Sequence, residues 1–353
     1  YNTRLTDDVT LNVEAGANAY INNYKQFGQY SSQQLVFDLF DHSNFITQNK
    51  TGDSGNDLDY KVEQMLLGAF GFASVGYKDY LYVNLGARSD WSSKFESANR
   101  NKVYPNITAS FIPSSAIDAL RSSKIVNYLK VRLGYSTSAS FGDAYQTRAT
   151  LGIQANRFVT SGGTIVNSNT LGGRRPNTTL RPELSKETEL GVEGRLFNNR
   201  VNLDLTLYRR VNPDQILDKD LDPASGYTVQ SINAATVENK GIELGLGYTI
   251  IRNKTFNWEV NTNFTLNRNK AYDFPAEIQQ IGLAGYSDLG LFAFPNQPLG
   301  LIYGSKVMRD PNKGNQPVVG PDGNYIVNPA LGIIGDSNPD FQMSGISNFS
   351  YKR

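Results

Sequence analysis

Residues 189–208 read ELGVEGRLF, then NNR, then VNLDLTLY. In the second run Val201, Leu203, Leu205 and Leu207 fall on one face of an extended chain, and Asn202, Asp204, Thr206 and Tyr208 fall on the other. The first run, Glu189–Phe197, alternates in the same way, and only Asn198-Asn199-Arg200 separates the two. Two such runs joined by three turn-forming residues predict a long two-faced β-hairpin.

Working outward from this hairpin, the two-residue period recurs in ten segments: Val9–Ile21, Val62–Tyr77, Tyr80–Trp91, Val103–Phe111, Tyr128–Tyr135, Glu189–Phe197, Val201–Tyr208, Gly241–Ile250, Phe256–Asn267 and Phe341–Tyr351. Val62–Tyr77 is apolar on both faces, so its register is open. In the clear segments the apolar face carries no charge. A soluble sandwich also keeps charge off its inner face, so length is the better guide. Soluble strands average about 5–6 residues, whereas crossing a bilayer at a tilt takes about 9–11. Most of these segments meet the longer requirement, which predicts an all-β, transmembrane antiparallel β-barrel.

The links support that reading. Lys78-Asp79, Asn198–Arg200 and Ile251–Thr255 are short, and Pro113–Val126 is of moderate length with room for a helical turn. They alternate with long links at Asn23–Lys61, Ser92–Lys102, Ser136–Lys186, Arg209–Asn239 and Arg268–Asp340. Outer-membrane barrels show this asymmetry, with tight periplasmic turns and long extracellular loops.

Composition excludes much else. The chain has 353 residues, a net charge of +1, no Cys, and His42 as its only histidine. Disulfide frameworks, thiolate or histidine metal clusters and Ser-His-Asp catalysis are therefore ruled out by count. The near-zero charge gives no field for nucleic acid. No run approaches the roughly 20 apolar residues of a membrane helix. The mean hydropathy of −0.41 does not argue against a barrel, whose strands show lipid only every second residue. The chain opens at Tyr1 without Met and stops at Arg353 within an apparent strand end, so it is expected to be an internal part of a longer protein.

Several stretches resemble the SusC/RagA family of TonB-dependent outer-membrane transporters. Val237-Glu238-Asn239-Lys240-Gly241-Ile242-Glu243-Leu244 is similar to that family's N-K-G-I-E-L block. Leu180-Arg181-Pro182-Glu183, running on to Leu207-Tyr208-Arg209-Arg210, is similar to another of its segments. Tyr80-Leu81-Tyr82, Arg88-Ser89-Asp90 and Ser92-Ser93-Lys94-Phe95 resemble a third. Tyr104-Pro105, Leu129–Tyr135 and Ile334–Phe341 follow in the family's order.

The resemblance implies that residues 1–353 are part of one receptor β-barrel domain, about ten of about twenty-two strands. The plug, TonB box and terminal strands of the family are not in this sequence. It further implies a cell outer membrane location in a Gram-negative bacterium with extracellular loops, and import of oligosaccharides or oligopeptides. The implied partners are a SusD-like lipoprotein, the TonB-ExbB-ExbD energy-coupling complex acting through the plug, outer-membrane lipid, and glycan or peptide cargo. A passive porin-type channel and a surface glycan-binding β-protein are the competing readings. No cofactor is implied.

No credible acid, base or nucleophile set is present, so no enzyme is expected. Asp218, Asp220 and Asp222 read as solvated loop charges beside Lys219, and Gly162-Gly163 and Gly172-Gly173 read as flexible loop. The degraded acidic loop at Asp310–Asn324 reads as a turn without calcium, because too few carboxylates stand at ligand spacing. Arg174-Arg175 and Arg209-Arg210 read as rim charges, with phosphate or lipopolysaccharide headgroups as the sharper alternative. Candidate substrate contacts are the loop aromatics Trp91, Phe95, Tyr227, Tyr272, Tyr286, Phe292 and Phe294, which can stack on sugar rings or pack on peptides. The lumen amides Asn261 and Asn263 join them as hydrogen-bonding groups.

Overall fold

A computed structural model describes residues 1–49, 58, 60–159, 161–286 and 289–352. Eleven strands form one antiparallel sheet, each paired to its neighbours in chain order apart from the loop insertions. They are β1 (Asn2–Thr6), β2 (Val9–Gln26), β3 (Tyr60–Tyr77), β4 (Leu81–Ser92), β5 (Asn101–Phe111) and β6 (Val126–Ser140). The rest are β7 (Glu183–Leu196), β8 (Val201–Asn212), β9 (Thr236–Arg252), β10 (Phe256–Tyr272) and β11 (Gln342–Tyr351). All ten expected segments are present. The sequence reading missed β1, whose five residues offer only Leu5 as a large apolar side chain and no alternation.

Register makes the two faces continuous. Val9, Tyr77, Leu81, Phe111, Val131, Val192, Leu205, Leu244, Phe264 and Met343 are successive cross-strand partners from β2 to β11. Cross-strand partners share a face, so one unbroken row of large side chains crosses ten strands. The face is exposed: Leu207, Leu246 and Met343 are among its accessible residues. Among the described residues no second sheet covers Leu203, Leu205, Val260 or Phe264, none of which is fully buried.

The open register of Val62–Tyr77 is settled by its neighbours. Met65, Leu67, Ala69, Ala73 and Val75 pair with the apolar faces of β2 and β4. Phe70 and Phe72 therefore point to the polar face, where they fill gaps left by glycine. A Cβ on Gly16 would lie 2.5 Å from the Phe70 ring, and one on Gly86 would lie 2.4 Å from the Phe72 ring. Two apolar residues on the wrong face are thus accommodated by two absent side chains.

The turns at one end are short and conformationally demanding. Lys78 and Asp79, in the three-residue link between Tyr77 and Leu81, both have positive φ, the backbone region that primed hairpin turns use. Phe197, Asn198 and Asn199 have φ of 54°, 56° and 58°, and Asn tolerates that region better than most residues. Asn198→Val is expected to cost about 1–2 kcal/mol through its β-branched clash. In the full-length protein this should appear as a lower temperature for the folded-to-unfolded gel shift. The moderate link contains two four-residue helices, Pro113–Ala116 and Asp118–Arg121. They are tied to β6 by the Ser114 hydroxyl, which accepts from the Leu129 N–H at 3.0 Å.

The long links all lie at the opposite end and, apart from Ser92–Lys102, are not plain loops. They carry small sheets: Tyr30–Gln34 with Phe45–Asn49, Leu151–Val159 with Ile165–Leu171, and a three-stranded sheet of Arg174–Arg175, Val229–Asn233 and Ile216–Asp220. The last long link holds a four-stranded sheet from Ile281 to Asp336. Residues 50–57 and 59 of the Asn23–Lys61 link lie outside the described residues. The main strands also run farther than their alternation indicated, up to 18 residues in β2 and β3. At their long-link ends polar and charged side chains occupy both faces, which erases the hydropathy signal without ending the hydrogen-bonded ladder.

Candidate functional site

The polar face is organised by β7 to β10. Register places Glu193, Asp204, Gly245 and Asn263 in one row, and Arg195, Asn202, Gly247 and Asn261 in the next. The two glycines of β9 leave a gap between the side chains of β8 and β10. The result is an open basin of about 660 Å³ lined by Glu193, Arg195, Asn202, Asp204, Asn261 and Asn263. Its charges are largely matched within the wall. Arg132 Nη2 reaches Asp204 Oδ1 at 2.8 Å and Thr206 Oγ1 at 2.6 Å, and Lys130 lies 4.0 Å from Glu193. Gly191 makes room for the Arg132 side chain, whose Nε would sit 2.3 Å from a Cβ there. What remains free in the basin is amide: a carbonyl acceptor and an NH2 donor on each Asn.

Higher on β10 the amides are engaged. Asn267 Nδ2 donates to Asn239 Oδ1 at 3.0 Å and Asn267 Oδ1 accepts from the Tyr208 hydroxyl at 3.2 Å. Asn269 donates to Asn338 Oδ1 at 2.7 Å and accepts from the Leu299 N–H at 2.6 Å. These bonds fasten the last long link to the wall.

The aromatic candidates do not converge. Trp91 lies in β4 opposite Leu67, on the apolar face, and Tyr272 ends β10 opposite Thr236 on that same face. Their assignment to loops is corrected: both strands continue through them. Phe95 is 5% exposed and packs edge-on against Phe141 at 6.2 Å. Phe292 is 4% exposed and meets Tyr303 at 5.3 Å, with Phe294 at 5.4 Å from the same ring. Tyr227 is half-buried beside a 3-10 turn at Pro223–Ser225. Tyr286 is 79% exposed near a hairpin tip. Asn261 and Asn263 line one cavity together.

Sequence reading overlooked a second cavity of about 400 Å³ at the long-link end, lined by Tyr20, Leu66, Lys94, Phe141 and Asp143. Lys94 Nζ donates to the Gly142 carbonyl at 2.7 Å. Its walls come from β2, β3, β4 and the link after β6, so no local motif could signal it. Asp90, the last residue of the Arg88-Ser89-Asp90 motif, is 3% exposed and central to the polar face of β4.

The other singled-out groups are occupied locally. Arg174 Nη2 donates to Asp218 Oδ2 at 2.8 Å, and the fully buried Ser231 hydroxyl donates to Asp218 Oδ1 at 2.6 Å. Asp222 caps its turn through Ala224 N–H at 2.9 Å. Asp310 and Asp322 accept from the N–H groups of Asn312 and Asn324 in their own turns. His42 is exposed, with Nδ1 2.7 Å from the Ser31 hydroxyl. Bonds between links are numerous: Thr228 N–H donates to Gly173 O, Arg148 pairs with Glu96, and Lys219 pairs with Glu277.

The Arg174 guanidinium, with the Ser231 hydroxyl behind it, holds the Asp218 carboxyl below the usual carboxylate range. A carboxylate depressed in the folded state adds stability above its unfolded pKa, and that stability is lost as pH falls through the folded value. Amide exchange protection of Val229–Asn233 should therefore be unchanged between about pH 7 and 5 and fall only below about pH 4. Asp218→Asn should remove that acid step.

Residues 1–332 match the sequence profile described as "TonB dependent receptor-like, beta-barrel". The chain belongs to that family. TonB-dependent receptor P26 of Formosa agariphila is 32% identical over 205 residues, covering 58% of this chain and 20% of that protein. TonB-dependent receptor P3 of the same organism is 27% identical over 318 residues, covering 83% and 31% respectively. TonB-dependent receptor SusC of Bacteroides thetaiotaomicron is 22% identical over 214 residues, covering 60% of this chain and 21% of SusC. The chain thus spans a fifth to a third of these curated relatives. A structure described as the RagAB peptide transporter superposes on all of this chain and 39% of its own, with a TM-score of 0.76 at 21% identity. The fold of this TonB-dependent receptor segment is accordingly an outer-membrane β-barrel wall, apolar on one face and polar on the other.

Proposed function

We propose that the full-length protein imports oligosaccharides or oligopeptides across the outer membrane as a SusC-like, TonB-dependent transporter. A SusD-like lipoprotein works at the mouth, and TonB-ExbB-ExbD supplies energy through a plug. The long links face outward and the short turns face the periplasm. The observation that carries this reading is the polar face of β7 to β10: paired charges surround the free amides of Asn202, Asn261 and Asn263. Such a wall offers hydrogen bonds to neutral hydroxyl or amide solutes without a strong charge filter. No bond is broken; the work is binding and passage.

The test is uptake of fluorescent oligosaccharides and oligopeptides by cells expressing the full-length protein, with and without TonB. Uptake of one class that vanishes without TonB is expected. Uptake that persists unchanged would instead mean a passive pore. Orientation is read by placing single cysteines at Asn324 and Asn198 in intact cells. An impermeant thiol reagent should label Asn324→Cys and spare Asn198→Cys.

A further inference from the structure

The two boundaries of the apolar face differ. At the short-turn end it finishes in aromatic rings: Trp258 stacks on Phe349 at 5.4 Å, and Phe256 lies 6.3 Å from the same ring. At the long-link end of β8 to β10 it passes into cations, with Tyr272 beyond them. One register step beyond Leu207, Ile242 and Leu266, the residues directly opposite one another are Arg209, Lys240 and Arg268. One step further, Lys186 and Lys270 flank Val211 and Glu238. All five cations are exposed.

Two carboxylates answer them. Glu238 is shared, with Arg209 Nη2 and Lys240 Nζ each 2.5 Å from it, and Asp340 lies 3.3 Å from Arg268. Among the described residues the Lys186 and Lys270 side chains have neither an ion pair nor a hydrogen bond. Five cations against two anions leave a surplus of three positive charges on four adjacent strands. Like charges directly opposite on neighbouring strands destabilise a sheet unless something neutralises them.

We propose that this cluster binds the phosphate groups of an anionic lipid headgroup, with the lipid's acyl chains lying against Leu207, Ile242 and Leu266. The position fits a lipid better than a soluble ion, because the cations border the apolar band and strand spacing of about 4.8 Å puts three of them within about 10 Å. An ammonium or guanidinium at this depth is drawn to an anionic headgroup, and each contributes about a fivefold gain in binding. The proposal rests on the transporter reading only in placing the cluster in the outer leaflet, which the cysteine labelling tests separately.

The experiment uses the full-length protein in neutral detergent, titrated with diphosphorylated lipid A, with its dephosphorylated form, and with inorganic phosphate. Lipid A is expected to bind in preference to both others and to weaken as salt is raised. Lys186→Gln with Lys270→Gln should weaken it about thirtyfold. Both lysines are unpaired, so the gel-shift temperature should hold and report intact folding. Equal binding by the double variant, or equal binding of the dephosphorylated lipid, overturns the proposal. Inorganic phosphate binding as tightly as lipid A overturns it too, since that makes the cluster a free-anion site.

Discussion

Leu205→Arg is expected to cost about 2–4 kcal/mol and to deplete the protein from the outer membrane. Leu205 sits within the apolar row, with Val192 on one side and Leu244 on the other. A guanidinium there would meet acyl chains with no counter-charge among its cross-strand partners. The control is Asn263→Arg, on the opposite face beside Ser344 and Gly245, in the basin that Asp204 also lines. It should insert normally, because a water-filled lumen solvates charge. Quantitative blotting of outer-membrane fractions reads both. If Asn263→Arg is lost and Leu205→Arg retained, the two faces have been assigned the wrong way round.

Asp90→Ala is expected to destabilise the wall by about 3 kcal/mol, the lower end for breaking a buried ion pair. Asp90 accepts from Arg88 Nε at 3.0 Å and from the Tyr104 hydroxyl, and its other oxygen lies 2.8 Å from Arg88 Nη2. The guanidinium also donates to Asn18 Oδ1 at 2.7 Å and stands 5.8 Å from the Phe70 ring centre. Removing the carboxylate leaves that half-buried cation without a counter-charge. Tyr104→Phe removes the hydroxyl's bond to Asp90 and the one it accepts from Arg88 Nε at 3.1 Å, but leaves the ion pair, and should cost about 1–2 kcal/mol. Arg88→Met with Asp90→Leu should recover much of the loss, since an apolar pair carries no desolvation cost. Denaturant-induced unfolding in micelles separates these outcomes.

Where one face was apolar and the other polar, residue order alone was sufficient: Val201–Tyr208 occupies the register its alternation implied. The reading failed where burial was not what mattered. Residues Glu183–Thr188 and Arg209–Asn212 remain in the ladder, yet charged groups lie on both sides there, so hydropathy has no period to show. Val62–Tyr77 was ambiguous because Phe70 and Phe72 are matched by glycines on other strands, which a single segment cannot reveal. The same limit governs the candidate site. Asn261 and Asn263 were visible as a polar face, but the basin depends on Gly245 and Gly247 standing between them and β8. Ring chemistry drew attention to Phe95 and Phe292, whereas apolar bulk put both into the interior of the links.

Strand length has one more consequence. β10 runs 17 residues, about 58 Å of extended chain, or about 44 Å along the membrane normal at a tilt near 40°. The hydrocarbon layer is about 30 Å thick, so the hydrogen-bonded wall stands above it as a stiff collar. The small sheets are mounted on this collar and cross-tied to each other, not hung from loose tethers at the level of the lipid. In the proposed transporter a solute reaching the rim therefore travels between ordered walls for more than a nanometre before it is level with the oil.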